Sequence, residues 1–151
     1  MHKITPFLWY DGNAEEAMNF YLSIFKDSKM LSVNRGDNGK AFTLSFELEG
    51  QEFKALNGGP MFKFNESVSF FVDCKDQDEV DYFWEKLSAG GEKSQCGWLK
   101  DKFGLSWQIV PEALGEYLGD PDPEKSKRAM DAMMKMTKID IAALKRASDG
   151  E

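Results

Sequence analysis

The 151 residues predict an α+β fold of two βαβββ modules followed by C-terminal helices. Three observations carry that prediction. The order strand, helix, three strands occurs twice; the two helices match residue by residue at a fixed offset; and turn-forming clusters separate the strands where such a duplication needs them.

In the first module, Ile4 to Tyr10 is apolar and aromatic, which suits a strand, and it runs into Asp11-Gly12, a turn signal. Asn13 stands where a helix N-cap belongs. From Ala14 to Phe25 the apolar Ala17, Phe20, Tyr21, Ile24 and Phe25 recur at three- and four-residue spacing, with Glu15 and Glu16 in the first turn, where the helix dipole favours anions. The segment reads as an amphipathic helix over a sheet. Three strands follow: Lys29 to Asn34, Phe42 to Leu48 and Glu52 to Leu56. Gly36-Asp37-Asn38-Gly39 supplies residues that tolerate positive φ, and Glu49-Gly50-Gln51 makes a short hairpin connection. Leu44, Phe46 and Leu48 alternate with Thr43, Ser45 and Glu47, so one face of that strand packs and the other meets something polar.

Asn57-Gly58-Gly59-Pro60 breaks the pattern, and the order restarts with Val68 to Val72 as a strand. Shifting the chain by 63 positions places Glu16 on Glu79, Ala17 on Val80, Phe20 on Phe83, Tyr21 on Trp84 and Ile24 on Leu87; Phe7 lands on Phe70. Gly90-Gly91 closes the second helix with the residue type that accepts a left-handed cap. Glu92 to Gln95, Gly97 to Leu99 and Leu105 to Pro111 complete the strands. Asp101-Lys102-Phe103-Gly104 joins the last pair, with Asp first and Gly fourth as a type I turn prefers. After Pro111 the character turns helical: Asp122 is an N-cap with Pro123 at the first helical position. Ala129, Met130, Met133, Met134, Ile139, Ile141 and Leu144 form an apolar stripe broken near Asp140. A tail this apolar has to pack on its own domain or on a partner subunit. The organisation expected is one domain over 1–151, with module one at 1–60, module two at 66–111 and the helical tail at 112–151.

A hydrophobic content of 42% with 13% aromatics suffices for a packed core, and a net charge of −7 repels phosphate backbones and anionic headgroups. Nucleic-acid and membrane partners are therefore not expected. The first residues lack the apolar core of a secretion signal and no stretch approaches the roughly 20 apolar residues that span a bilayer, so a cytoplasmic location is expected. In that reducing setting Cys74 and Cys96 are expected as free thiols.

Two successive βαβββ units resemble the vicinal oxygen chelate superfamily, which includes glyoxalase I, extradiol dioxygenases and antibiotic-resistance proteins. Within it, Leu56 to Pro60, Val72-Asp73-Cys74, Tyr82 to Leu87, Cys96 to Gly104 and Ser106 to Pro111 are similar to the PhnB-like family, often labelled 3-demethylubiquinone-9 3-methyltransferase. The resemblance covers nearly the whole chain. It implies a half-open barrel of the glyoxalase/bleomycin resistance/dihydroxybiphenyl dioxygenase fold, in a homodimer. It also implies a small-molecule pocket, with polar residues common in the family where this chain has Met61 and Phe71. Methyl transfer is a separate matter, because a class I methyltransferase needs a Gly-rich turn between its first strand and helix, and Gly58-Gly59 precedes a proline instead.

In catalytic members of the superfamily, His and Glu from the first and last strands of each module hold a divalent metal. Here Gln108 stands where the second module's glutamate would be, the first module offers Lys54 to Asn57, and neither Pro6 to Tyr10 nor Val68 to Val72 contains a histidine. His2, the single histidine, is terminal, so no metal and no cofactor are expected. The pocket candidates are Trp9, Asn57, Phe71, Trp98 and Gln108, each on or beside a central strand. For Trp9 and Phe71 core packing competes, since strand aromatics usually pack. Gln108, between Trp107 and Ile109, faces the concave side if those two face the helices; its competing role is a bond to a neighbouring strand. Cys96 lacks a histidine to take its proton, and Lys100, Asp101 and Lys102 read as hairpin-turn charges. Two functions follow: a metal-free binder of a small, partly apolar molecule, or a small-molecule enzyme of the lyase, isomerase or dioxygenase type, with no catalytic residue assigned.

Overall fold

The computed structural model describes residues 2–151. The described residues divide into two compact units, 2–64 and 65–151, and each repeats one plan. The first contains β1 (Phe7–Tyr10), α1 (Ala14–Ile24), β2 (Ser28–Arg35), β3 (Ala41–Leu48) and β4 (Gln51–Asn57). The second contains β5 (Ser69–Cys74), α2 (Gln77–Ser88), β6 (Glu92–Lys93), β7 (Trp98–Lys100) and β8 (Ser106–Pro111), followed by α3 (Glu112–Leu118), α4 (Pro123–Met133) and α5 (Ile141–Ser148). The sheets have orders β1-β4-β3-β2 and β5-β8-β7-β6, so in each the first strand lies parallel to the last and the others are antiparallel. This is the expected α+β fold.

Alternation decides what each sheet face does. In the first unit Leu8, Tyr10, Leu44, Phe46, Phe53 and Ala55 are buried together with Ala17, Met18, Tyr21 and Ile24 of α1. Phe46 and Phe53 are direct partners across β3 and β4 and stack with ring centroids 5.4 Å apart, and Tyr10 and Tyr21 hydroxyls meet at 3.2 Å. The Glu49-Gly50 hairpin has positive φ at both residues, as a tight right-twisting hairpin requires. In the second unit Val80, Trp84 and Leu87 of α2 are buried along with Cys74, Leu99, Trp107 and Ile109. The helix correspondences therefore hold in three dimensions.

The strand correspondence slips by one. Phe7 is exposed and shares a face with Trp9, whereas Phe70 meets Trp107 at 5.6 Å on the buried side. The true equivalents are Leu8 with Phe70 and Trp9 with Phe71, because a one-residue shift sends a strand side chain to the opposite face.

Helix capping also differs from expectation at the first helix. Asn13 makes no side-chain cap bond; Asn57, at the end of β4, accepts the Ala14 N–H instead, at 2.9 Å. Asp122 and Asp140 do cap α4 and α5, accepting from Glu124 N–H and Ala143 N–H, so the break near Asp140 is real. The tail packs on its own unit: Ile139 and Leu144 are fully buried with Val110 and Leu114, and Tyr117, Leu118, Met133 and Met136 close around them. Burial of each such aliphatic side chain is worth about 1.5–3 kcal/mol. Gln77 of α2 ties this segment down, donating to Ile139 C=O and accepting from Ile141 N–H. Met130 and Met134 stay exposed.

Candidate functional site

With Phe70, Trp107 and Ile109 turned to the core, the opposite face of the second sheet carries Ser69, Phe71 and Asp73 of β5, Ser106 and Gln108 of β8, and Trp98 and Lys100 of β7. The strand register brings these together: Phe71 pairs with Gln108 and Gln108 with Trp98, while Ser69 pairs with Ser106 and Ser106 with Lys100. Three of the expected pocket residues, Phe71, Trp98 and Gln108, thus line one cavity of about 400 Å³ with Asp73, Cys96 and Met133. Phe71 is 59% exposed, so the expectation that strand aromatics pack fails there; its outward position on β5 is the cause. Gln108 Nε2 donates to Ser69 Oγ at 2.9 Å, the neighbouring-strand bond weighed for it, while its Oε1 has no hydrogen-bond partner among the described residues.

The two candidates of the first unit are engaged by their own surroundings. Trp9 donates from Nε1 to Gly59 C=O at 2.8 Å, meets Phe62 edge-on at 4.9 Å, and lies so close over Gly58 that a Cβ there would overlap its ring. That contact gives the Gly58-Gly59 pair its role. Asn57 spends its amide on Ala14 N–H and Ala41 C=O, both at 2.9 Å, while flanking a cavity formed by Arg35 to Phe42. In that cavity Arg35 is clasped by Glu15, which holds the Glu15 carboxyl below its usual range.

Asp101 corrects a second expectation. It is 2% exposed and accepts from Phe103 N–H, Leu105 N–H and Trp107 Nε1–H at 2.9–3.1 Å, so this turn residue is a buried anchor for the indole behind the sheet. The type I turn is present as expected, with Gly104 N–H on Asp101 C=O at 2.9 Å. Cys74 is fully buried, and burial, aided by the charges of Glu79 and Asp73, pushes its thiol up to about 12. Cys96 is half-buried, held at φ 58° with its N–H on Met136 C=O, and both thiols are free.

Sequence reasoning missed Ser106. It is 1% exposed, yet its Oγ has no hydrogen-bond partner among the described residues, at a typical cost of about 1–3 kcal/mol. It lines a second cavity of about 430 Å³, together with Trp98, Lys100, Ser94, Glu66 and Glu92, in which Lys100 pairs with Glu66. A serine beside a tryptophan on an alternating strand carries no sequence signal of this kind.

Two βαβββ sheets of this order, each with a helix on one face and the second followed by further helices, define a member of the vicinal oxygen chelate superfamily, the glyoxalase/bleomycin resistance fold. The chain belongs to the family described as 3-demethylubiquinone-9 3-methyltransferase, whose model matches residues 2–110. It is similar to a Bacillus cereus PhnB protein that carries the same methyltransferase description provisionally: 36% identity over 73% of this chain and 99% of that one, TM-score 0.69. A fosfomycin resistance protein from Listeria monocytogenes, crystallised with Mn(II) and sulfate, shares the fold at 14% identity over 71% and 89% of the two chains, TM-score 0.51. A glyoxalase/bleomycin resistance/dioxygenase domain from Frankia shares it at 19% over 74% and 92%, TM-score 0.50. No curated protein matches the chain.

The residues present do not fit the divalent metal associated with this fold. Among the described residues no three His, Cys, Asp or Glu side chains come together. The position on β8 that would supply an anionic oxygen is the neutral amide of Gln108, and its strand neighbours on either side are Phe71 and Trp98. Nor does the turn from β1 to α1, Asp11-Gly12-Asn13, provide the glycine-rich approach that S-adenosylmethionine binding uses. No helix is long and apolar enough to cross a membrane among the described residues.

Proposed function

We propose that this chain binds a small, partly apolar molecule on the outward sheet face of its second unit, without a resident metal. The observation that carries this reading is the convergence of Phe71, Trp98 and Gln108 on one cavity, with the Gln108 Oε1 as a directional acceptor amid apolar walls. Two aromatic surfaces give affinity and the amide orients; a donor on the ligand, such as a hydroxyl or amide N–H, matches Oε1. The test is identification by mass spectrometry of small molecules that copurify with the protein, followed by calorimetry with the compound found. Retention by the native protein and loss in Phe71→Ser and Gln108→Ala is expected. Equal retention by both variants overturns the site. Titration of metal-stripped protein with zinc, nickel and manganese tests the metal-free reading. Stoichiometric submicromolar binding that Gln108→Ala abolishes would overturn it.

A second reading, turnover by acid–base chemistry on a small oxygenated substrate, is favoured by one feature: Asp73, Cys96 and Glu112 line the same cavity, so proton-transfer groups are within it. Turnover lost in Asp73→Asn with binding kept is the result that supports it. Association into a homodimer is part of the proposal too. Met130 on α4 and Met134 at its C-terminal end leave an apolar surface, and two-fold pairing is the commonest way a soluble chain covers one.

A further inference from the structure

Ser106, Lys100 and Trp98 form a compartment beside the one just described, with Trp98 lining both. Lys100 stands directly across from Ser106 in the β7–β8 register, so the ammonium stem and the hydroxyl rise from adjacent points on one sheet face. Lys100 holds the carboxylate of Glu66, a side chain 62% exposed. Ser106 is buried within the lining with its hydroxyl unpaired among the described residues. A buried hydroxyl without a partner is costly and uncommon, and this one belongs to the strand partner of a lysine that already grips a carboxylate.

We propose that this compartment is a recognition site for an organic carboxylate. One ligand oxygen takes the place of Glu66 on Lys100, the Ser106 hydroxyl donates to the same carboxylate, and the apolar body lies on the Trp98 ring. Glu66 is then a tethered stand-in that fills the cation's coordination when the site is vacant. Exchange of one carboxylate for another leaves the charge at Lys100 unchanged, and the exposed pair is weak enough to open. Glu92, opposite Lys100 on β6, adds negative charge to the lining, so a bare inorganic anion gains too little there; the aromatic surface and the hydroxyl make the difference. The inference rests on the small-molecule reading above and names the ligand's chemical class.

Nitrogen-15 correlation spectra of the whole protein, titrated with phenylacetate, test it, with phenylacetamide and inorganic phosphate as controls. Saturable shifts of the Trp98 indole N–H and the Lys100 and Ser106 amides are expected with phenylacetate alone. Loss of a hydrogen bond to a charged group corresponds to about tenfold, so Ser106→Ala and Lys100→Gln should each weaken binding by about that factor, while Glu66→Gln, which removes the competitor, tightens it several-fold. Ser106→Ala removes an unpaired hydroxyl, so its thermal midpoint should not fall, which separates lost binding from lost folding. Equal binding of phenylacetamide overturns the proposal, as does an affinity unmoved by Ser106→Ala and Glu66→Gln. Absence of any saturable shift at Trp98 overturns it as well. Shifts confined to Phe71 and Gln108 overturn it while leaving the binding cavity of the proposed function standing.

Discussion

Asn57 Oδ1 accepts the Ala14 amide hydrogen at 2.9 Å from 43 residues away, so the last strand of the first module caps the helix that follows its first strand. The same amide donates to Ala41 C=O, at the start of β3. One side chain therefore joins a helix end and two strands. Asn57→Ala should lower stability by about 1–2 kcal/mol in a denaturant melt, whereas Asn13→Ala, at the sequence position of the cap, should cost only a few tenths. Equal costs would show that the helix end is satisfied otherwise.

The Asp101 carboxylate predicts a larger effect. Three donors converge on it, one of them the Trp107 indole. Asp101→Ala should cost about 3 kcal/mol or more and shift tryptophan fluorescence, while Lys102→Ala in the same turn should stay within about 0.5 kcal/mol.

The two thiols should separate cleanly under alkylation. Iodoacetamide at mild pH is expected to label Cys96 and spare Cys74 until the protein unfolds, as peptide mass mapping reads directly. Folding raises the Cys74 thiol from its ordinary 9.0 to about 12, so the native state keeps a proton that the unfolded chain releases. The stabilisation is complete below pH 9 and drains away as pH rises toward 12; Cys74→Ala should flatten the loss of stability in that window.

Gln77 is expected to matter through the tail. Its amide spans Ile139 C=O and Ile141 N–H at the joint between α4 and α5, and Gln77→Ala should cost about 1–2 kcal/mol and raise hydrogen exchange at α5 before the strands.

For the dimer, sedimentation at low micromolar concentration should give twice the 17.2 kDa chain mass. Lys substitutions at Met130 and Met134, both exposed, should return it to the single mass while leaving the far-ultraviolet circular dichroism of the folded chain unchanged. A single mass for the unaltered protein would sink the pairing.

Local pattern alone determined the element order, the duplication, the helix faces and the break at Asp140. Each follows from periodicity or from a cap within three residues of its target. The same alternation puts Gln108 opposite Trp107 and Ile109 only on the condition that those two face the helices, and the outward position of Phe71 came from the structure alone. Tertiary structure decided the rest, because it depended on register. Whether Phe7 or Leu8 matches Phe70 turns on a one-residue slip that a pattern of aromatics cannot resolve, and that slip separates core from surface. Asn57, Asp101 and Ser106 are polar residues whose meaning lies in partners brought near by strand pairing. A remote helix end claims the first, an indole and two turn amides claim the second, and the third is left without a partner. Hydrogen-bond geometry is three-dimensional, whereas sequence spacing reports only neighbours along the chain.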